Sequence, residues 1–103
     1  MKKQLVELAH ARSGDKGDIA NIALFAPDLA TYDLFVREVT TERVRAHFKG
    51  IVTGEVERYE VPNVLALNFV LRGALNGGAS RSLRSDALGK SLSSALLRLE
   101  IEV

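Results

Sequence analysis

Two polar, glycine-containing segments hold the residues best suited to chemistry. The first runs from His10 to Asn21, and the second runs from Asn76 to Asp86 and continues to Lys90. Arginine can clamp a carboxylate or phosphate through two hydrogen bonds, lysine supplies a point charge, and serine and glycine expose backbone amides. Between residues 72 and 90 there are four positive side chains and one negative one. These residue types favour a site for an anionic group.

We therefore predict that the 12–18 segment and the 76–90 segment lie against each other and form one anion-accepting site. Asn21 belongs to this site because it is a lone amide in an otherwise apolar stretch, where an unpaired buried amide would cost about 1–3 kcal/mol. In the alternative interpretation, the arginines pair with nearby aspartates and the glycines only turn the chain.

Other chemistries fit the sequence poorly. The first segment lacks the spacing of a phosphate-binding P-loop, and Asp15 and Asp18 lack the spacing of a calcium-binding EF-hand. The absence of cysteine excludes disulfides, thiolate catalysis and cysteine-ligated metals. Two histidines are too few for a strong metal site. We expect no metal and no cofactor.

The composition is that of an ordinary globular domain. The chain has 103 residues, of which 47% are hydrophobic and 26% charged, with a net charge of +1. This balance does not predict binding to nucleic acid or to anionic lipid by charge alone. No apolar run approaches the roughly 20 residues of a membrane helix. We predict one cytoplasmic domain over residues 1–103.

Hydrophobic periodicity predicts the elements that position these segments. The first polar segment is interpreted as a long hairpin loop at 12–18. Strands are predicted at 4–10, 19–26, 54–61 and 97–103, and helices over 28–39, over a short stretch after Thr40, over 64–75 and over 88–96. The fold class is α+β, a two-layer sandwich with a four-stranded, mainly antiparallel sheet and helices on one face.

The last predicted strand, 97–103, shows strict alternation of apolar and charged residues. It should pair inside the sheet with its four apolar side chains facing the helices. Because the core is small and has no disulfide, we also predict self-association, as a dimer.

The two segments carry a resemblance to a known family. The stretch from Ala9 to Ile22 resembles the N-terminal signature of the AtuA-like ferredoxin-fold domain. Leu67–Leu71, Gly77–Asp86 and Gly89-Lys90 resemble its second signature. The resemblance covers essentially the whole chain and implies a ferredoxin-like variant of the predicted fold. The matching positions that it marks as candidate ligand-binding residues are Arg12, Ser13, Asp15, Lys16, Asn21, Ser80, Arg81, Arg84 and Lys90.

The resemblance also implies a biological context. In this family the domain is either the C-terminal part of a larger AtuA-type protein or a separate small chain encoded beside it, in bacterial catabolism of acyclic terpenes and branched acyl-CoA compounds. The present chain resembles the separate form. Its expected partners are a large AtuA-type protein and a small carboxylate or CoA-type ligand.

Three functions stay open at this point. The chain is an accessory subunit that completes the site of a large AtuA-type protein, an independent enzyme acting on an acyl-CoA or small carboxylic acid, or a non-catalytic homo-oligomeric binding protein. The accessory role is favoured because the chain is too small to enclose a substrate alone. The enzyme lacks an evident base, since nothing marks Asp15, Asp18 or Asp86 with a raised pKa.

Overall fold

The structure, a computed structural model, describes residues 2–16, 19–49, 52, 54–73 and 92–103. Its strands are β1 (Lys2–Gln4), β2 (His10–Lys16), β3 (Ile19–Phe25), β4 (Val56–Val61), β5 (Ala66–Arg72) and β6 (Glu100–Glu102). The helices are α1 (Leu29–Glu38), α2 (Thr41–His47) and a helical stretch at 92–96, here α3, with short 3₁₀ turns at Leu5–Glu7 and Pro62–Val64.

Four strands form one antiparallel sheet in the order β2-β3-β5-β4. One face of this sheet packs against the helices. The sheet contributes Ile22 and Phe69 to this core, and the helical layer contributes Phe35, Val44 and Phe48. The predicted α+β sandwich, with helices on one face of a four-stranded sheet, is confirmed.

Both predicted helices after β3 are present, and a side chain caps the N-terminus of each. The Asp28 carboxylate accepts a hydrogen bond from the Thr31 amide at 2.8 Å, which lowers the pKa of Asp28. The Thr40 hydroxyl likewise accepts from the Arg43 amide at 3.2 Å. Each side chain satisfies a donor that a helix N-terminus would otherwise leave free.

The predicted helix over 64–75 is wrong, because its central part is strand β5. Leu67, Phe69 and Leu71 alternate along this segment and are fully buried, which is the pattern of a strand with one face in the core. Leu65 adopts a left-handed conformation, with φ of 54°, directly before the strand begins. Residues 74 and 75 lie outside the described residues.

The predicted hairpin loop at 12–18 is also wrong over most of its length. β2 extends to Lys16 and pairs residue by residue with β3, from His10 opposite Phe25 to Lys16 opposite Ile19. The glycine and polar residues of this segment are compatible with a strand because β2 lies at the edge of the sheet. Residues 17 and 18 lie outside the described residues.

The strands predicted at the two ends of the chain are also different in the structure. Residues 4–10 do not form one strand, since β1 ends at Gln4 and a 3₁₀ turn precedes β2. Only Glu100–Glu102 of the last segment is a strand, and it pairs with β1 in a separate two-stranded sheet. Ile101 is buried as predicted, whereas Val103 is 45% exposed. The turn after α3 occupies residues 97 and 98, where the strand was expected.

One buried group on α1 provides a stability prediction. Tyr32 is 5% exposed, its hydroxyl has no hydrogen-bond partner within the described residues, and burial raises its pKa. Because an unsatisfied hydroxyl opposes burial, Tyr32→Phe should leave the free energy of unfolding unchanged or raise it by up to about 1 kcal/mol. Urea denaturation measures this change.

Tyr59→Phe is the matched control, since the Tyr59 hydroxyl donates a hydrogen bond to Glu57 at 2.7 Å. This second variant should be less stable than the parent chain. If Tyr32→Phe lowered the free energy of unfolding by more than about 1 kcal/mol, the Tyr32 hydroxyl of the parent chain would have a hydrogen-bond partner.

Candidate functional site

The face of the four-stranded sheet that points away from the helices is the candidate functional surface, here the open face. Residues directly opposite each other in antiparallel strands have side chains on the same face of the sheet. The strand register therefore shows which side chains lie on the open face. The open face carries His10, Arg12 and Gly14 from β2, Ile19, Asn21, Ala23 and Phe25 from β3, Ala66, Asn68, Val70 and Arg72 from β5, and Glu57, Tyr59 and Val61 from β4.

Three polar side chains surround Ala23 in the middle of this face. Arg12 on β2 and Asn68 on β5 lie opposite Ala23 on its two sides, and Asn21 lies two residues away on β3. Neighbours of this kind have Cβ atoms about 4.5–5.5 Å apart across strands. Ala23 has the smallest side chain of the four. We name Arg12, Asn21 and Asn68 the amide–guanidinium cluster.

The cluster has unused hydrogen-bonding capacity. Arg12 and Asn21 are exposed and Asn68 is half-buried. Within the described ranges, none of the three side chains makes a hydrogen bond or an ion pair. A guanidinium has five N–H donors, and each asparagine amide has two more. The cluster therefore presents donors that an anionic group can use.

The two sides of the cluster differ in character. On one side, the rings of His10 and Phe25 stack with their centroids 5.1 Å apart and their planes at 14°. On the other side is Gly14, where an added Cβ would lie 3.5 Å from Asn21 Oδ1. Because Gly14 has no side chain, it leaves Asn21 accessible from the edge of the sheet.

A second polar group on the open face is already paired. Arg72 Nε donates to Glu57 Oε2 at 3.1 Å, and the Tyr59 hydroxyl donates to Glu57 Oε1. The hydrogen bond from Tyr59, followed by that from Arg72, lowers the pKa of Glu57. This carboxylate and guanidinium neutralise each other, so neither adds net charge to the open face.

The lowered pKa of Glu57 predicts a pH dependence of stability. A carboxyl group whose pKa is lower in the folded state stabilises the fold above its unfolded pKa, near 4.5, and this contribution is lost as the pH falls through the folded value. Glu57→Gln should therefore reduce the loss of stability below about pH 4.5, measured by urea denaturation between roughly pH 7 and pH 3. Identical pH profiles for the variant and the parent would contradict this assignment.

The structure divides the predicted site residues into three groups. Arg12 and Asn21 share the open face, whereas Ser13 lies opposite the buried Ile22 and so belongs to the core face. Asp15 and Lys16 belong to β2 by their backbone pairing with Ala20 and Ile19. The remaining residues of the prediction lie outside the described residues: Ser80, Arg81, Arg84 and Lys90. The joint site of the two segments therefore stays a prediction.

Asn21 does not occupy the buried position expected for it. It is exposed and faces Gly14 across the strand pair. Asn68 is the residue that the sequence reasoning about this site omitted. Its signal was a polar residue in an apolar segment, but the helical interpretation of 64–75 placed it away from Asn21. In a strand, Asn68 reaches the same face as Arg12.

Two further observations bear on the kinds of site that the described residues form. No three histidine, aspartate or glutamate side chains come together there in a way that could hold a metal ion. None of the helices within the described ranges has the length and apolar character needed to cross a bilayer.

These features define an α+β domain with a ferredoxin-like architecture and an open sheet face. The family model of the AtuA ferredoxin-like domain matches residues 3–102. The chain therefore belongs to the AtuA ferredoxin-like domain family. No curated protein and no solved structure matches it significantly.

Proposed function

We propose that this chain is a small accessory subunit of a larger AtuA-type protein in acyclic terpene or branched acyl-CoA catabolism, to which it contributes anion-binding groups. The family membership supports the association with AtuA-type proteins. The observation that carries the proposal is the open face, where Arg12, Asn21 and Asn68 have no partners in the described chain. A domain with unused donors on a flat surface is suited to complete a site rather than to enclose one.

A partner protein would strengthen anion binding on the open face by excluding water from it. On an exposed sheet face, water screens the attraction between a guanidinium and an anion. A second protein that covers the face removes this water and strengthens each hydrogen bond to the anion. Tyr59 and Val61 are exposed apolar side chains on the same face, at 52% and 38%. They supply contact area for the covering surface.

Co-purification with a large AtuA-type protein encoded beside the chain tests this function. Val61→Glu places a charge on the open face and should weaken the complex by about tenfold or more, because an unpaired charge would be buried. Val6→Glu is the matched control, since Val6 is 54% exposed in the turn after β1. Circular dichroism establishes that both variants are folded.

The expected result is that the parent chain and Val6→Glu retain the large protein, whereas Val61→Glu loses it. A parent chain that retains no AtuA-type protein, or equal retention by both variants, would contradict the proposal. The predicted dimer stays a prediction, which light scattering on the isolated chain tests.

A further inference from the structure

The outer edge of β4 offers backbone groups to a further strand. β4 ends the four-stranded sheet, and within the described residues β5 is its only strand neighbour. On β5, Arg72 directs both of its backbone groups to the β4 side, where it donates to Glu55 and accepts from Gly54. Because these directions alternate along antiparallel strands, the amides and carbonyls of Arg58 and Glu60 point away from β5. They are therefore placed to pair with another strand.

The side chains of β4 leave this edge accessible. Tyr59, Glu60 and Val61 are exposed, and none of the six residues of the strand is proline. Natural proteins protect a sheet edge with proline, a bulge or charges that repel another strand. β4 does carry charges, but they have both signs, since Arg58 lies between Glu57 and Glu60. Such a strand repels its own copy in some registers and attracts it in others.

One two-fold register of β4 with its own copy places opposite charges together. The axis of such an antiparallel pair passes through one residue, because opposite side chains must lie on the same face. An axis at Glu57, Arg58 or Glu60 places that charge opposite itself, and an axis at either end of β4 pairs fewer residues. An axis at Tyr59 places Arg58 opposite the second copy's Glu60. Each such pair exchanges two backbone hydrogen bonds, since both residues point their backbone groups outward.

The Arg58 guanidinium can serve both copies at this register. Its Nη1 atom donates to the carbonyls of Val36 and Val39 at 2.9 and 3.0 Å, which holds the side chain in place on the helix side of the sheet. Its Nη2 atom lies 3.5 Å from Glu60 Oε2, which is a long contact, and the Glu60 side chain is 53% exposed. The guanidinium can therefore also donate to the carboxylate of the second copy.

Tyr59 supplies the contact at the axis itself. Its side chain is 52% exposed on the open face. Opposite residues that do not exchange backbone hydrogen bonds have Cα atoms only about 4.5 Å apart, so the two Tyr59 rings meet. Aromatic pairs of this kind stabilise antiparallel strands. The Tyr59 hydroxyl keeps its hydrogen bond to Glu57 of the same strand.

We infer that the chain forms a two-fold dimer through β4, with Tyr59 at the axis and the two four-stranded sheets joined into one antiparallel sheet. This inference gives the predicted dimer an interface and a register, and it does not depend on the proposed function. Because the axis is perpendicular to the joined sheet, the open faces of both copies lie on the same side. The dimer therefore presents two amide–guanidinium clusters on one continuous surface.

Disulfide cross-linking of single-cysteine variants tests the register, because the chain has no cysteine of its own. Tyr59→Cys brings two thiols together at the axis, where a Cα separation of about 4.5 Å suits a disulfide. This variant should form a covalent dimer when diamide is added as the oxidant. Val61→Cys is the matched control, since it lies on the same exposed strand but roughly 13 Å from its own copy at this register. It should stay monomeric in a denaturing gel.

Sedimentation equilibrium of charge-reversal variants tests the ion pair. Glu60→Arg should weaken dimerisation by about tenfold or more, because it places a positive charge opposite the second copy's Arg58. Glu100→Arg is the matched control, since Glu100 is also an exposed strand residue but lies on β6 in the separate two-stranded sheet. It should dimerise like the parent chain. Circular dichroism establishes that both variants are folded.

The outcomes separate this inference from the proposed function. A parent chain that stays monomeric at about 200 µM would overturn the dimer. Faster cross-linking of Val61→Cys than of Tyr59→Cys, or equal weakening by the two glutamate variants, would overturn the interface. A monomeric chain that retains the large AtuA-type protein would overturn the inference and leave the accessory function supported. A cross-linked Tyr59→Cys dimer, from a parent chain that retains no such protein, would support the inference and contradict the proposed function.

Discussion

Arg58→Met is expected to lower the free energy of unfolding by about 2–4 kcal/mol, since hydrogen bonds to charged groups contribute about 1.5–3 kcal/mol each. Arg58 lies on β4 with a side chain that is only 19% exposed. Its Nη1 atom donates to the carbonyl oxygens of Val36 at 2.9 Å and Val39 at 3.0 Å. These carbonyls lie at the C-terminal end of α1, where no further helical turn supplies donors. Methionine preserves the apolar stem but leaves both carbonyls unsatisfied.

The same side chain also forms an ion pair, which should contribute little. Arg58 Nη2 lies 3.5 Å from Glu60 Oε2, and the Glu60 side chain is 53% exposed. Glu60→Gln should therefore change stability by less than about 1 kcal/mol. Guanidinium chloride denaturation of the two variants separates the contributions. Equal losses of stability in the two variants would show that Arg58 stabilises the fold through its ion pair with Glu60, and not through the carbonyl groups at the end of α1.

Gly54→Ala is expected to destabilise the domain by about 1–3 kcal/mol, the usual cost of forcing atoms into a filled space. An added Cβ at Gly54 would lie 2.5 Å from the carbonyl oxygen of Arg72. The Gly54 amide donates to that oxygen at 2.8 Å, and the Arg72 amide donates to the Glu55 carbonyl at 2.9 Å. Since β5 is held by strands on both sides, residues 54 and 55 must move away and break these bonds.

Gly14→Ala is the control for the effect of adding a methyl group to a glycine. Among the described residues, its Cβ would meet only Asn21 Oδ1, at an ordinary contact distance of 3.5 Å. Because glycine weakens a strand, this variant should be as stable as the parent or more stable by up to about 1 kcal/mol. Thermal unfolding followed by circular dichroism measures both. If Gly54→Ala were as stable as Gly14→Ala, the close approach to Arg72 would be contradicted.

The helices were predictable from sequence because their signals are local. Asp28 and Thr40 are residue types that cap helices, and each directly precedes a segment with helical periodicity and caps it in the structure. β5 was not predictable in this way. Its apolar residues lie on both faces of the strand, because Ala66 and Val70 on the open face are apolar and the residues that face the core are apolar too. Periodicity alone cannot distinguish such a strand from a buried helix.

The residues of the candidate site were predictable from sequence only in part, and their arrangement was not. Arg12, Ser13 and Asn21 were identified by residue type, but their arrangement depends on the residue-by-residue pairing of β2 with β3. A segment interpreted as a loop has no alternation, so Ser13 and Arg12 were expected on one site although they face opposite sides. The grouping of Asn68 with Arg12 required the order of the strands, which is set by tertiary packing.

Methyl NMR of the alanine-labelled chain with a large AtuA-type protein shows directly whether the open face is the binding surface. Ala23 lies on the open face, whereas Ala30 and Ala46 are exposed on α1 and α2. If the open face is the binding surface, the Ala23 methyl resonance shifts or broadens on complex formation, while those of Ala30 and Ala46 keep their positions. A complex that perturbs Ala30 or Ala46 and leaves Ala23 unchanged would contradict the assignment of function to the open face.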